Sequence, residues 1–225
     1  MIPVQITYPD PLFEAIPTNE ILSRSLPELR AAPLVSVTSR NGLPLISSQK
    51  GQATRTVRTL NEFYQAEDEG FFAATTVDMI EWSRFRLVAD LLSAVMIARP
   101  ASVSYLRPLS EVALIPANLF PMEEVGYNVE SSQLELDPAA TIESMEQAGK
   151  YKIVTREPGR LGVQNGVATM FTEVLIGDLD GDGVQDMLVW KSTKIVDGSL
   201  RWSSSLALTR VSNDALFSKV RLPFQ

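Results

Sequence analysis

Val174-Leu175-Ile176-Gly177-Asp178-Leu179-Asp180-Gly181-Asp182-Gly183-Val184-Gln185-Asp186-Met187-Leu188-Val189-Trp190 is the stretch on which the reading of the chain turns. Apolar runs rich in strand-forming residues stand on either side of an Asp/Gly segment, so the stretch reads as strand, loop, strand. Working outward, strand-like runs occupy Tyr151 to Arg156, Thr169 to Ile176, Gln185 to Lys191 and Leu200 to Thr209. Pro158-Gly159, the acidic loop and Asp197-Gly198 separate them as turns, which predicts an antiparallel meander. Val220 to Phe224 reads as a last strand, and Pro223 confines it to an edge.

Upstream the texture is helical. Thr59-Leu60-Asn61-Glu62 has the capping-box pattern and Gly70 is a natural stop, so Leu60 to Glu69 is expected as a helix. A longer helix should run from Val77 to Ala98, capped by Thr76 and ended before Pro100. Its apolar residues cover two neighbouring faces, one with Ile80, Val88, Leu91 and Val95 and one with Trp82, Phe85, Ala89, Leu92 and Met96. That reads as a buried core helix rather than a partner groove. The first fifty-odd residues are rich in proline and allow only short elements, such as a helix over Asn19 to Ser25. Short strands are expected at Val103 to Tyr105 and Val112 to Leu114, and a helix over Pro138 to Ala148. The fold class is therefore α+β: a helical N-terminal part, residues 1–100, packed with a β-rich part, residues 101–225, in one continuous domain.

Composition removes whole classes of chemistry. The 225 residues include no cysteine and no histidine. No disulfide, thiolate nucleophile, cysteine zinc site or histidine-based triad can form. Any metal must sit among oxygens, which points to calcium or magnesium. With 20 basic against 27 acidic residues the net charge is −7, a surface that disfavours nucleic acid and anionic membranes. No run approaches the ~20 apolar residues of a membrane span. The opening Met1-Ile2-Pro3-Val4 shows neither the basic nor the apolar region of a signal peptide.

In the acidic loop Asp178, Asp180 and Asp182 alternate, so a chain curling round a point aims all three carboxylates inward. Gly183 supplies the turn that lets the Val184 carbonyl face the same point, and Asp186 closes the shell. These are positions 1, 3, 5, 7 and 9 of a calcium loop. An EF-hand would place Glu at position 12, where Val189 stands, and would need flanking helices instead of strands.

Gly177-Asp178-Leu179-Asp180-Gly181-Asp182-Gly183-Val184-Gln185-Asp186 resembles the calcium loop of the FG-GAP and VCBS repeats of integrin-type propellers and secreted bacterial proteins. The resemblance implies Ca²⁺ as cofactor, with Asp178, Asp180, Asp182, Val184 (through its carbonyl) and Asp186 as ligands. It covers about twenty-five residues, in a single copy where those proteins carry several. The loop followed by a strand ending in Ala207-Leu208-Thr209-Arg210 also looks similar to bacterial envelope proteins. Some periplasmic immunity proteins, which neutralise antibacterial toxins, are similar in carrying one isolated loop of this kind.

Other groups have plainer readings. Ser47-Ser48-Gln49-Lys50 contains Ser-x-x-Lys without its companion motifs and reads as a polar loop. Glu62, Glu67, Asp68, Glu69, Glu123 and Glu124 could supply a carboxylate pair, yet their spacing selects none. Trp190, Trp202, Phe171 and Tyr151 read as sheet core ahead of a binding face. The expectation is a calcium-binding, non-enzymatic protein that binds another protein outside the cytoplasm, in the periplasm or beyond it. Its partner would be a secreted antibacterial effector. The alternative is a calcium-dependent hydrolase using carboxylates on polysaccharide or lipid.

Overall fold

Six strands that follow one another in sequence also lie side by side. The computed structural model describes residues 1–37, 41–47, 54–120, 137–196, 198 and 201–223. They form an α+β fold that divides into two compact units, residues 8–96 and residues 1–7 with 97–225.

The second unit is built on an antiparallel meander. Strands β5 (Lys152–Glu157), β6 (Arg160–Asn165), β7 (Val167–Gly177), β8 (Asp186–Ile195), β9 (Arg201–Thr209) and β10 (Ser218–Val220) stand in sequence order across the sheet. Such an order needs only short connections between neighbours. The short strand β1 (Gln5–Ile6) adds to β7 alone, pairing Gln5 with Ile176 and Ile6 with Leu175. Pairing of β6 with β7 ends at Arg160–Thr172, so β1 takes up the stretch of β7 that β6 leaves free. A bulge between Glu173 and Leu175 resets the β7–β8 register there.

Strand β6 is absent from the sequence expectation. Its Leu161-Gly162-Val163-Gln164-Asn165 carries a glycine and an asparagine, both poor strand formers. The sheet explains the glycine: a Cβ at Gly162 would lie 2.9 Å from Met170 Cε and 3.0 Å from Val154 Cγ2. Side chains from both neighbouring strands close over it.

One sheet face is covered by the chain from Leu109 to Phe120 and by the helix Ile142–Gln147. Val112–Leu114 is a 3-10 turn, not a strand. Leu109, Val112 and Ile115 are fully buried, and their spacing of three matches the 3-10 period. Val103 forms only an isolated bridge. The Ile142–Gln147 helix starts later than Pro138 because Asp137 Oδ1 accepts from Ala139 N in a local turn. Thr141 then supplies the cap, its hydroxyl accepting from Ser144 N.

In this core Phe120 stacks on Phe171 with ring centroids 4.4 Å apart, and burying each ring stabilises the sheet by ~1.5–3 kcal/mol. The carbonyls of residues 117–120 need donors. Tyr151 Oη donates to those of Ala117 and Phe120, at 3.3 and 3.4 Å, and Lys191 Nζ to that of Leu119 at 2.9 Å. Burial pushes the Tyr151 phenol up to about 12 and the Lys191 ammonium down to about 8, with the Lys219 charge adding to the latter. Beyond β9, the fully buried Arg210 donates to the carbonyls of Tyr105, Asn213 and Ala215. It thereby holds two loops to the sheet.

In the unit of residues 8–96, helices α1 (Leu26–Ala31), α2 (Leu60–Asp68) and α3 (Thr76–Ile97) accompany a small antiparallel sheet of β2 (Leu43–Ser47), β3 (Arg55–Val57) and β4 (Phe71–Phe72). The helix of residues 142–147 is α4. The expected capping box of α2 is present, Thr59 Oγ1 accepting from Glu62 N and Glu62 Oε2 accepting from Thr59 N. The start of α3 is capped by Thr75, whose hydroxyl accepts from Asp78 N, one residue before the expected cap. Expected helix Asn19 to Ser25 is a 3-10 segment, Thr18–Ser23. Phe85, Val88, Leu91 and Leu92 of α3 are buried, while Met79 and Met96 are exposed. Glu81 and Arg84, also buried on α3, serve backbone groups: Glu81 Oε2 accepts from Val37 N, and Arg84 donates to the carbonyls of Val35 and Pro11.

Two measurements probe this fold. Arg210→Met strands three carbonyls and should cost about 3 kcal/mol in a denaturant titration. For Lys191, the folded state holds its proton more weakly than the unfolded chain. Stability should therefore rise with pH between about 8 and the ordinary lysine range, by ~1–2 kcal/mol at pH 9.5 relative to Lys191→Met. Parallel pH profiles of the two proteins would refute this.

Candidate metal centre

The rung Gly177–Asp186 is the last of the β7–β8 ladder, so the two strands deliver Asp178 and Asp186 side by side. Between them the chain curls through two left-handed residues, Gly181 (φ +87°) and Gly183 (φ +84°), a conformation that disfavours any side chain. The carboxylates also hold the loop from inside. Asp178 accepts from Gly181 N at 2.7 Å and from Gly183 N at 3.0 Å. Asp180 accepts from Asp182 N at 3.1 Å, Asp182 from Val184 N at 2.7 Å and Asp186 from Leu179 N at 2.8 Å.

Of the four carboxylates expected as ligands, three are brought together. Carboxylate oxygens of Asp178, Asp180 and Asp186 all lie within 4.8 Å of one another. Asp182 stands exposed at the loop tip, outside that group. Val184 is fixed through its backbone, bridged in parallel to Val103.

A partner segment that the sequence reading assigned no role in the site runs alongside. Arg99 and Asp178 exchange backbone hydrogen bonds at 2.9 Å each way. Gly183 O accepts from Ser102 N and Val103 N, and Val103 O accepts from Gln185 N at 2.8 Å. Residues 99–103 thus grip both ends of the loop. The run Val103-Ser104-Tyr105 carried a strand signal, but nothing in it names the loop as its partner.

The electrostatics of the cluster are unfavourable for a bare set of carboxylates. Two such charges ~4 Å apart repel by roughly 4 kcal/mol at the effective dielectric of a protein surface. Asp186 is fully buried, and its Oδ1 makes no well-formed hydrogen bond, only a weak contact of the carboxylate with Thr209 relieving it. Its neighbour on β9, Thr209, likewise holds a buried hydroxyl without a well-formed bond. Burial pushes the Asp186 carboxyl up to about 6, opposed by Leu179 N–H and Thr209 and assisted by the charges of Asp180 and Asp182. An oxygen-only donor set with a buried, unsatisfied oxygen fits a hard divalent cation. Such an ion would offset the converging charges and fix the β7–β8 turn.

Several of the remaining candidates make structural contacts. Glu62 caps α2, Glu67 pairs with Arg86 at 2.6 Å and Glu69 with Arg55 at 2.8 Å. Phe171, Tyr151 and Trp190 are buried, and Trp202 is half-buried. Ser48 to Lys50 and Glu123 to Glu124 lie outside the described residues. Comparison with protein-family models, curated proteins and solved structures finds no match to the chain.

If a cation holds this turn, calcium at ~100 times its dissociation constant should contribute about 2.7 kcal/mol. The melting midpoint then rises by roughly 5–10 °C. Asp186→Asn should abolish that rise and increase the midpoint in EDTA. Its amide can keep the Leu179 bond and donate to Thr209, and one buried charge is gone. Asp182→Ala, outside the converging group, should reduce the rise less than Asp178→Ala. Melting curves with calcium and with EDTA give all four comparisons.

Proposed function

We propose that the protein binds calcium in the β7–β8 turn and acts by binding another protein outside the cytoplasm. The observation that carries the metal reading is the convergence of Asp178, Asp180 and Asp186 within 4.8 Å, one of them buried with an unsatisfied oxygen. The ion's role is structural: it completes a turn between the two central strands, and no reacting group need lie beside it. Extracellular calcium modules work at 10⁻⁴–10⁻³ M dissociation constants, and calcium reaches such concentrations outside the cytosol. A loop with three converging carboxylates belongs in that range.

Binding in place of catalysis is supported by the chain's lack of histidine and cysteine, which removes the commonest general base and nucleophile. The likeness of the loop and of Ala207 to Arg210 to bacterial envelope and immunity proteins supports a periplasmic inhibitor. Its partner would be a secreted effector, for which an acidic surface of net charge −7 offers electrostatic steering.

The test has two arms. Calcium-loaded protein should capture a secreted protein from a bacterial culture and bind the purified partner one-to-one in calorimetry, more weakly in EDTA. Turnover of glycan, ester or phospholipid abolished by a single carboxylate substitution would replace this reading with a calcium-dependent hydrolase. Recovery of cytoplasmic proteins alone would refute the compartment.

A further inference from the structure

The geometry points to a second binding function on the same loop: a cavity beside it takes a small apolar carboxylate, held between Arg99 and Arg221 with its hydrocarbon against Ile97, Leu179 and Pro223. The cavity measures about 280 Å³ and is lined by these five residues with Asp180 and Gly181. That volume lies at the small end of ligand pockets and suits a group the size of one amino acid.

Two features make the cavity attractive to an anion. Neither the Arg99 nor the Arg221 guanidinium has a hydrogen bond or ion pair among the described residues, although the chain carries an excess of acids. Both side chains also spring from fixed backbone. Arg99 is locked to Asp178 by its reciprocal backbone bonds, and Arg221 lies between the buried Val220 and Leu222. With the backbone fixed, only side-chain freedom is lost when each guanidinium meets a carboxylate, whose two oxygens match its planar donors.

The rest of the lining selects for hydrocarbon. Ile97, Leu179 and Pro223 offer apolar wall, and Leu179 is held by its own N–H on Asp186. A bare inorganic anion gains nothing from those walls. An apolar acid, such as the last residue of a peptide chain, uses both halves of the cavity.

Asp180 couples this cavity to the metal. Asp180 lines the cavity, and its carboxylate belongs to the converging trio. The inference rests on the calcium reading in this respect: with the ion in place the Asp180 charge is offset, and without it an incoming carboxylate is repelled. Arg99 reaches the loop from the other side, its Nη1 standing 4.0 Å from where a Cβ on Gly181 would lie.

The probe is N-acetyl-L-leucine, titrated into the calcium-saturated chain and followed by amide NMR shifts. Acetate, which lacks the hydrocarbon, and N-acetyl-L-leucinamide, which lacks the charge, are the controls. Binding on the order of 1 mM is expected for a ligand of this size, with shifts at residues 97–99, 179–181 and 221–222. Acetate, the amide, Arg99→Gln and Arg221→Gln should each weaken it about tenfold or more, and EDTA likewise. Both arginines are exposed, and unchanged melting curves will show that the variants fold. Absence of shifts in a protein that calorimetry shows to bind calcium overturns the pocket and leaves the metal reading intact. Shifts that persist in a variant carrying both Arg99→Gln and Arg221→Gln also overturn it. If calcium does not bind, the metal reading fails, and the pocket is judged in EDTA. Arginine-dependent binding there supports it, and its absence overturns it.

Discussion

A buried carboxylate facing two others is the constraint around which this protein is arranged. Asp186 begins β8, the strand with neighbours on both sides along most of its length, so it cannot swing out to water without unpicking the last rung of the ladder. Its charge has to be met where it stands. The protein alone supplies Leu179 N–H on one oxygen and, beyond it, only a weak contact with Thr209. Every other property of the turn follows from holding Asp178 and Asp180 close to that point: two left-handed glycines, carboxylates tied to backbone amides, and an outer brace from residues 99–103. An isolated pair of strands would not tolerate such crowding. A sheet with a packed aromatic core can, because its stability does not depend on that one turn.

Much of this was readable from the residues, for physical reasons that can be named. The loop is written locally: alternating aspartates and glycines at fixed offsets have few other uses, and flanking runs of Val, Ile, Leu and Met announce strands. Caps behave similarly, since Thr59 and Glu62 act within one turn. The meander was legible because each strand pairs with its neighbour in sequence. What escaped was set by distant contacts. Strand β6 is hidden by Gly162, a residue chosen by Met170 above it and Val154 beside it. The Val112–Leu114 turn looks like a strand because its apolar content is right; only its spacing to Leu109 and Ile115 reveals the tighter coil. Within the loop, alternation alone treated Asp182 as the equal of Asp180. In three dimensions the two left-handed glycines on either side carry Asp182 out to the tip.

The same distinction explains the buried cations. Lys191 sits mid-strand between Trp190 and Ser192, and Arg210 closes the Ala207 to Arg210 run at the end of β9. Their sequence context gives no hint that they serve carbonyls of loops 72 and 105 positions away. Irregular segments can be buried only if their carbonyls are satisfied. Here long cationic side chains from the sheet perform that service, so the loops covering the core are held by polar contacts as well as by apolar ones.

The lone early strand has a consequence for how the chain is made. Gln5 and Ile6 leave the ribosome roughly 170 residues ahead of their partners on β7, at 5–20 residues per second. For some ten to thirty seconds this segment has no partner, while the rest of the meander can zip from neighbour to neighbour as it appears. When β7 does arrive, its stretch from Val174 to Ile176, beyond the reach of β6, is an open apolar edge of the kind that recruits foreign strands. Gln5 and Ile6 therefore serve as a late-acting seal, and the interval before they close is when nascent chains are most exposed to joining one another.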